Sequence, residues 1–524
     1  MNFDMDNAGM YLIEKSRKGI ISLVFSRTGI IAVLFLLQLW LMFAVFRWFE
    51  GFLPHIFGGA IIFTAVMVLL IINGNMDPTA KITWLIIIML LPVFGSLLYF
   101  YIQSDLGHRV FKRRFDALTT ELKETIPQDE ELKKRILSVS PESSAIAQYI
   151  KKSGCYPIYE NTEVTYFPSG EEKFKALLEE LKKAEKFIFL EYFIINEGIM
   201  WGQILEILSQ KAAEGVDVRV IYDGTCEFTT LPHDYPKRLE KLGIKCKVFL
   251  PLTPLVSTSY NYRDHRKILV IDGHTAFNGG VNLADEYINH IEKFGYWKDT
   301  AIMLKGDAVK SFTLMFLQVW SIDKTEEDIN KFVYAPYKSV KAEGFVLPYA
   351  DCPLDGYKVG ERVYMDILNR AEKYVHIMTP YLILDGEMET AIKFAAERGV
   401  DVSIILPGIP DKKIPYALAK THYASLMASG VKIYEFTPGF VHAKVFVSDD
   451  ERAVVGTINL DYRSLYHHFE CATYMYGTKC IKNIENDFEE TIKKCKMADK
   501  NTIKENSLYN KAVGVAVKAF APLM

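Results

Sequence analysis

The sequence lacks a strong excess of either charge and lacks any regular cysteine pattern. Lysine and arginine number 61 and aspartate and glutamate 64, a formal net charge of −3. Without a basic excess, broad binding to a nucleic-acid backbone is not expected. The seven cysteines are scattered and odd in number, which argues against a disulfide scaffold or a zinc site and fits reduced thiols in a cytosolic environment.

Charged residues are also missing from three long stretches near the N-terminus. These are Thr28–Phe46, Gly51–Met76 and Ile82–Ser104. Each offers about 18 or more mostly apolar positions, enough for a helix to cross a bilayer. A buried core helix or a cleaved signal peptide explains three such runs less well. We therefore predict an N-terminal transmembrane region of two to three hydrophobic helices.

Basic residues lie on both sides of these runs and indicate the orientation of the chain. They are Lys15, Arg17, Lys18 and Arg27 before the first run, and Arg109, Lys112, Arg113 and Arg114 after the third. The positive-inside rule places both flanks in the cytoplasm, which two crossings satisfy and three do not. One run is then re-entrant or lies along the interface. We expect a multi-pass protein of the cytoplasmic membrane, with the rest of the chain on the cytoplasmic side.

The remainder of the chain contains an internal repeat. Its matching segments are Ala184–Leu190 with Ala371–Ile377, Ala213–Val218 with Glu397–Val402, and Leu242–Lys245 with Ser429–Lys432. The offsets are 187, 184 and 187 residues, so the spacing is kept as well as the content. Each half alternates strands with helices, which predicts an α/β sandwich around a mixed or largely parallel sheet. Duplicated domains of this kind usually pack with pseudo-two-fold symmetry.

The composition and the repeat together divide the 524 residues into four parts. A chain of this length exceeds what one hydrophobic core usually organises. The predicted parts are a membrane anchor over 1–105, a helix-prone connector over 106–160 that is broken by Pro127 and Pro141, a first α/β domain over 161–340 and a second over 341–524.

Each half carries one H-x-K-x4-D motif. The six residues, which we take as the candidate catalytic set, are His265, Lys267, Asp272, His442, Lys444 and Asp449. Side chains alternate along a strand, so each histidine and its lysine point to the same face. An imidazole beside an ammonium group suits an anion such as a phosphate diester. The aspartates fall at the predicted strand ends, where their position favours a structural role.

A turn of small residues follows each motif and ends in an asparagine. Asn282 and Asn459 each come 17 residues after the histidine of their half. Glycine at Gly280 allows a close approach of the backbone to a ligand, and Thr457 stands in the second turn. We expect these four residues to bind the phosphate of a substrate, with the asparagine amides donating to phosphoryl oxygens.

Two acidic residues further along are candidates for orienting the histidines. Asp299 and Glu470 stand at comparable distances after the two motifs. Either one can accept a hydrogen bond from the far nitrogen of an imidazole and so fix its tautomer. His422, His467 and His468 lack such a setting, and we interpret them as surface or packing residues.

The paired motifs resemble the phospholipase D superfamily, in which one active site forms between two halves. Several segments are similar to bacterial cardiolipin synthases: Asn261–Lys267, Gly279–Tyr287, Thr379–Tyr381, Asn459–Ser464 and Ala521–Met524. The resemblance implies duplicated phospholipase D-type α/β sandwich domains after the transmembrane region. Two features depart from the family pattern, an extra hydrophobic run and Thr457 in place of the glycine found at Gly280.

The resemblance also implies a reaction. His265 attacks phosphorus to give a phosphatidyl-histidine, and His442 protonates the departing glycerol and then deprotonates the acceptor. Lys267 and Lys444 stabilise the phosphoryl charge, so no metal or cofactor is expected. Two phosphatidylglycerols would give cardiolipin and glycerol. The expected partners are phosphatidylglycerol and membrane lipids, with no nucleic acid, and the oligomeric state stays open.

Other functions share the same motifs. A phospholipase D-type hydrolase and a phosphatidylserine synthase remain alternatives. A nuclease of the superfamily fits less well, given the hydrophobic runs and the small net charge. A non-catalytic membrane scaffold predicts the loss of a histidine or lysine in one repeat, and all four are present.

Overall fold

The computed structural model of the chain describes residues 9–12, 36–37, 40–41, 43–45, 47–48, 59–104, 109–251, 262–323, 328–505 and 508–523. Outside the described residues lie most of the first hydrophobic run, the four basic residues before it and Asn261. The chain forms two compact units. One contains the described residues from 113 to 514 together with 9–12, and the other contains those from 36 to 112 together with 515–523.

The second of these units contains three apolar helices. They are α1 (Gly59–Asn73), α2 (Pro78–Leu90) and α3 (Pro92–Ser104). The side chain of Asp77 accepts from the first turn of α2. The third hydrophobic run, predicted as one helix, is divided between α2 and α3 at Pro92, because proline is suited to the first turn of a helix and not to its interior. Within the described ranges, no helix combines the length and the apolarity that a bilayer crossing requires.

The predicted connector is helical. It contains α4 (Arg109–Leu122), α5 (Glu130–Val139) and α6 (Pro141–Ser153). Ser140 caps α6 by accepting from the N–H of Ser143, and Pro141 begins the helix. The Ser143 hydroxyl lies 3.1 Å from the hydroxyl of Tyr474, so this helix packs against the second α/β half.

The first half forms a seven-stranded sheet with the spatial order β1-β9-β7-β6-β2-β3-β4. In chain order its strands are β1 (Thr162–Phe167), β2 (Phe187–Tyr192), β3 (Asp217–Asp223), β4 (Lys245–Phe249), β5 (Arg263–Asp264), β6 (Lys267–Ile271), β7 (Thr275–Gly279), β8 (Tyr296–Lys298) and β9 (Ala301–Gly306). Strands β2, β3 and β4 are parallel, and the other neighbours are antiparallel. The short strands β5 and β8 lie outside this sheet.

The second half repeats this topology, with the spatial order β10-β17-β16-β15-β11-β12-β13 and β18 added at the edge. Its strands are β10 (Phe345–Asp351), β11 (Tyr374–Met378), β12 (Asp401–Pro407), β13 (Lys432–Phe436), β14 (Gly439–Val441), β15 (Val445–Ser448), β16 (Arg452–Gly456), β17 (His468–Tyr476) and β18 (Cys495–Met497). The same neighbours are parallel and the same are antiparallel. The predicted duplication is confirmed strand by strand.

Helices connect and cover the two sheets. In the first half they are α7 (Gly170–Lys182), α8 (Ile199–Ala213), α9 (Cys226–Thr229), α10 (Tyr235–Glu240), α11 (Val309–Trp320) and α12 (Asn330–Val333). In the second half they are α13 (Val359–Arg370), α14 (Gly386–Glu397), α15 (Lys413–Ala428), α16 (Cys480–Ile492), α17 (Lys500–Glu505) and α18 (Leu508–Lys518). After α8 and α14, Gly215 and Gly399 take φ of +93° and +95°, the left-handed conformation that ends a helix before the next strand.

The two sheets meet along their central antiparallel strands. The side-chain amide of Asn278 on β7 donates to Cys471 Sγ on β17 at 3.1 Å. Both residues are buried. The strands that carry the two motifs, β6 and β15, are neighbours of β7 and β16 in equivalent positions, so the duplication brings both motifs toward the boundary between the halves.

Candidate active site

His265 directly follows β5, a strand of the first half that pairs in parallel with the start of β17 in the second half. The register places Arg263 beside His468 and Asp264 beside Phe469. The backbone N–H of His265 donates to the carbonyl of Phe469 at 2.9 Å. The first motif is therefore anchored on the backbone of the second half.

His442 is anchored in the equivalent way with the halves exchanged. It follows β14, which pairs in parallel with β8 of the first half and sets Phe440 beside Trp297. The backbone N–H of His442 donates to the carbonyl of Lys298 at 2.7 Å. Strand pairing across the boundary thus places both histidines.

The two candidate orienting acids bind the histidine rings across the same boundary. His265 Nδ1 lies 2.9 Å from Glu470 Oε1 and 3.0 Å from its Oε2. His442 Nδ1 lies 2.7 Å from Asp299 Oδ2. Each acid comes directly after the residue whose carbonyl binds the backbone of the same histidine. One dipeptide therefore fixes both the backbone and the ring of the opposite histidine.

The protonation of the acids sets the tautomer of the rings. Burial raises the pKa of Asp299 to about 6. Burial acts in the same direction on Glu470, but the hydrogen bond from His265 outweighs it and holds the pKa of that carboxyl below its usual value. Both acids are then mainly ionised at neutral pH, and an ionised carboxylate only accepts hydrogen bonds. Each histidine therefore donates from Nδ1 and keeps a lone pair on Nε2.

Burial also favours the neutral forms of the basic side chains in the site. It lowers the pKa of His265 and His442 well below the usual value, so both rings are neutral near pH 7. Burial lowers the pKa of Lys267 to about 8 and that of Lys444 to about 7. Each lysine donates to the backbone carbonyl of its own motif histidine and has further N–H donors for an anion. A bound anion would restore the charged form of both lysines.

The two asparagines predicted to bind phosphate have different surroundings. Asn282 Oδ1 accepts from the N–H of Ile194 at 3.1 Å, and its Nδ2 donates to the Tyr287 hydroxyl at 2.8 Å. Asn459 Oδ1 is buried and has no hydrogen-bond partner among the described residues. The unpaired atom of Asn459 is thus an acceptor, whereas both polar atoms of the Asn282 amide have partners within the protein.

Gly280 and Thr457 occupy equivalent positions, and each contacts the acid of its own half. A Cβ atom on Gly280 would lie 2.1 Å from Asp299 Oδ1, so only glycine leaves space for that carboxylate. The Thr457 hydroxyl donates to Glu470 Oε2. The Thr457 hydroxyl is thus engaged by Glu470, and its contact with a substrate phosphate stays a prediction.

Asp272 and Asp449 lie at the far ends of the motif strands. Asp272 accepts from the backbone N–H groups of residues 185–187 at 2.7–2.8 Å. Asp449 accepts from those of residues 372–374 at 2.9 Å. A strand rise of about 3.3 Å per residue puts each aspartate about 16 Å from the lysine of its motif. They tie down the starts of β2 and β11, as the structural role favoured by the sequence requires, and a part in catalysis stays a prediction.

Two groups of side chains in the described residues have the ligand types of a metal site. His265, His468 and Glu470 form one, and His376, Glu485 and Glu489 form the other, each with its ligand atoms within 4.8 Å of one another. In the first group, Glu470 already accepts from His265 Nδ1. A metal ion there would displace the hydrogen bond that fixes the ring.

Both α/β halves of the chain match the model of a known protein family. A model described as "Cardiolipin synthase, PLD-like domain" matches residues 177–320 and 364–492, just over half of the 524 residues. The chain belongs to the cardiolipin synthase family. A second model, "Phospholipase D-nuclease N-terminal", matches residues 60–103, which contain the three apolar helices.

Relatives from several bacteria cover most of the chain. An uncharacterized protein of Streptococcus mutans is 57% identical over 87% of this chain and 99% of its own length. A cardiolipin synthase of Alkalihalophilus pseudofirmus is 32% identical over 91% of this chain and 95% of its own length. A "Cardiolipin synthase 2" of Bacillus anthracis is 32% identical over 86% of this chain and 88% of its own length.

A solved structure supports the fold alone. The phosphatidylserine synthase of Haemophilus influenzae matches with a TM-score of 0.55 and 17% identity, over 73% of this chain and 98% of that chain.

Within this family fold, the sequence-based prediction missed two rings beside the histidines. The His468 ring centroid lies 5.3 Å from that of His265, and the Trp297 ring centroid lies 5.4 Å from that of His442. Each stands two residues before an acid on a strand, and so shares its face. The alternation of side chains along a strand could have predicted that each ring lies on the same face as its acid. Only the folded structure shows that this face lies against a histidine of the other half.

Proposed function

We propose that this chain is a cardiolipin synthase that transfers the phosphatidyl group of one phosphatidylglycerol to another, releasing glycerol. One observation carries the proposal. His265 and His442 lie in one unit with their Nδ1 atoms bonded to acids of the opposite halves. Two imidazoles with free Nε2 atoms and two lysines supply a nucleophile, an acid–base group and positive charge for a phosphate diester.

The first step forms a covalent intermediate. His265 Nε2 attacks phosphorus, the bond from phosphorus to the glycerol oxygen breaks, and His442 supplies a proton to that oxygen. Lys267 and Lys444 hold the phosphoryl oxygens as charge develops on them, and we propose that Asn459 Nδ2 donates to the same oxygens. Because burial lowers the pKa of His442, we infer that the anionic substrate raises it enough for the ring to carry this proton.

The second step reverses the roles. His442 Nε2 removes the proton from the terminal hydroxyl of a second phosphatidylglycerol, whose oxygen attacks phosphorus while the bond to His265 Nε2 breaks. The product is cardiolipin. Attack by water would instead give phosphatidic acid, so the acceptor that occupies the site decides the product.

Purified protein with vesicles of phosphatidylglycerol tests this function. We expect cardiolipin and glycerol by mass spectrometry, and loss of both with His265→Ala or His442→Ala. Phosphatidic acid alone would indicate a hydrolase. A requirement for a cytidine-activated lipid and serine would indicate a phosphatidylserine synthase. We expect full activity after metal chelation, and a loss would show that the reaction needs a metal and contradict the proposed mechanism.

We also propose that residues 1–105 anchor the protein in the cytoplasmic membrane of a bacterium, with the active site on the cytoplasmic side. The charge-free runs support this, as do large apolar side chains exposed on the described helices of this region, among them Ile61, Leu69 and Met89. Large apolar side chains that are exposed together on neighbouring helices favour an interaction with lipid or protein. An impermeant thiol reagent should label Ser138→Cys only after intact cells are permeabilised, and labelling of intact cells would reverse the orientation.

A further inference from the structure

The two α/β halves differ in the side chain that stands two residues before the histidine-binding acid, Asp299 in the first half and Glu470 in the second. On β8 this side chain is Trp297, beside His442, and on β17 it is His468, beside His265. Both are more than nine-tenths buried. The indole Nε1 and both imidazole nitrogens of these two residues have no hydrogen-bond partner among the described residues. Equivalent positions thus present polar ring atoms of different chemistry on the two sides of the site, and His468 Nδ1 lies 3.6 Å from Glu470 Oε1.

The proposed reaction gives the two sides different tasks. The glycerol leaves phosphorus on the face opposite His265, where His442 protonates it. The acceptor hydroxyl enters on that same face, because His442 also removes its proton. The acceptor therefore occupies the side lined by Trp297, with Tyr287 and Phe440 ring centroids 5.4 and 5.8 Å from that of His442.

We propose that Trp297 selects the glycerol of a lipid over water as the acceptor, an inference that rests on the proposed function. The indole face packs against the C–H groups of the glycerol, and its Nε1–H donates to a glycerol oxygen. The acceptor oxygen bonds to phosphorus, its proton passes to His442 Nε2, and His265 regains its lone pair. Water follows the same steps but has no C–H groups to pack against the indole ring.

The ratio of cardiolipin to phosphatidic acid, measured with full-length protein and phosphatidylglycerol vesicles, reports this selection. Trp297→Phe keeps a ring but loses the N–H donor, and should lower the ratio about 3- to 10-fold, as expected for one hydrogen bond. Trp297→Ala also removes the ring and should lower the ratio further. Total consumption of phosphatidylglycerol should fall less than the ratio does.

Two variants act as controls. His468→Phe changes the equivalent position on the nucleophile side and should slow total turnover at an unchanged product ratio. Trp201→Phe removes a buried indole that donates to the Tyr235 hydroxyl, and should leave the ratio unchanged while reporting any loss of folding. An unchanged ratio in both Trp297 variants, or an equal shift in His468→Phe, would overturn the inference. If the wild-type protein makes no cardiolipin at all, the proposed function itself has failed.

Discussion

Glu470 accepts a hydrogen bond from the ring of His265, 205 residues away in the other half of the chain. Asp299 does the same for His442 across 143 residues. Each half therefore supplies a histidine that only the other half orients. A single half would present a histidine without its acid, which explains why duplication and a shared boundary belong to the chemistry.

Glu470 and Asp299, which each bind the histidine of the opposite half, should affect different steps of the reaction. Glu470→Gln replaces the carboxylate that keeps His265 in its attacking tautomer by a neutral amide, which both donates and accepts, and Asp299→Asn does the same for the acid–base histidine. Each should lower cardiolipin synthesis by about 100-fold or more. A phosphatidyl ester of nitrophenol has a leaving group that needs no proton. Release of nitrophenol should therefore recover in Asp299→Asn and not in Glu470→Gln, and equal recovery in both would contradict the assigned roles.

The hydroxyl of Thr457 should matter through Glu470. Thr457→Val keeps the shape but removes one of the two donors to the buried Glu470 carboxylate and leaves that from His265, a loss of about 1–3 kcal/mol. We expect turnover to fall about 5- to 150-fold, with Thr457→Ser close to wild type. Equal activity of the two variants would show that the bond to Glu470 is dispensable.

At the equivalent position, Gly280→Ala should be inactive, because its Cβ atom would overlap the Asp299 carboxylate.

The motif aspartates should affect stability and not chemistry. Asp272 holds three backbone N–H groups at the start of β2. Asp272→Ala should lower the free energy of unfolding by about 1–3 kcal/mol, with near wild-type turnover per folded molecule. Thermal unfolding and turnover of the same samples separate the two effects. His265→Ala should show the opposite pattern, and a selective loss of turnover in Asp272→Ala would return this residue to the catalytic set.

Binding of the anionic substrate should take up protons. Burial lowers the pKa of Lys444 to about 7 and that of Lys267 to about 8, so near pH 8 the free site has lost much of its charge. A phosphate diester favours the charged lysines, and binding should therefore draw about one to two protons from the buffer and weaken as the pH rises above about 8.

Calorimetry can measure this uptake with short-chain phosphatidylglycerol and the inactive His265→Ala variant. The binding heat at pH 8 should change with the ionisation enthalpy of the buffer. At pH 6, where both lysines are already charged, the lysine contribution should disappear. Binding heats that are independent of the buffer at both pH values would contradict the lowered pKa values of Lys267 and Lys444.

Local sequence patterns predicted the duplicated α/β fold and both motifs, because strand alternation, glycine helix ends and repeat spacing are local properties. They also singled out Asp299 and Glu470 without indicating which histidine each one binds. Which acid binds which histidine depends on the pairing of β5 with β17 and of β8 with β14. The place of His468 beside His265 was missed for the same reason. Thr457 was assigned to the substrate, because only the fold shows that Glu470 lies within its reach.

The most direct test of the account is the site of the covalent intermediate. The His442→Ala variant, mixed with the nitrophenyl ester and quenched at once, should retain a phosphatidyl group, because no base remains to activate an acceptor. Peptide mass spectrometry should find that group on His265. An adduct on another residue, or no adduct despite release of nitrophenol, would contradict the assignment of His265 as the nucleophile.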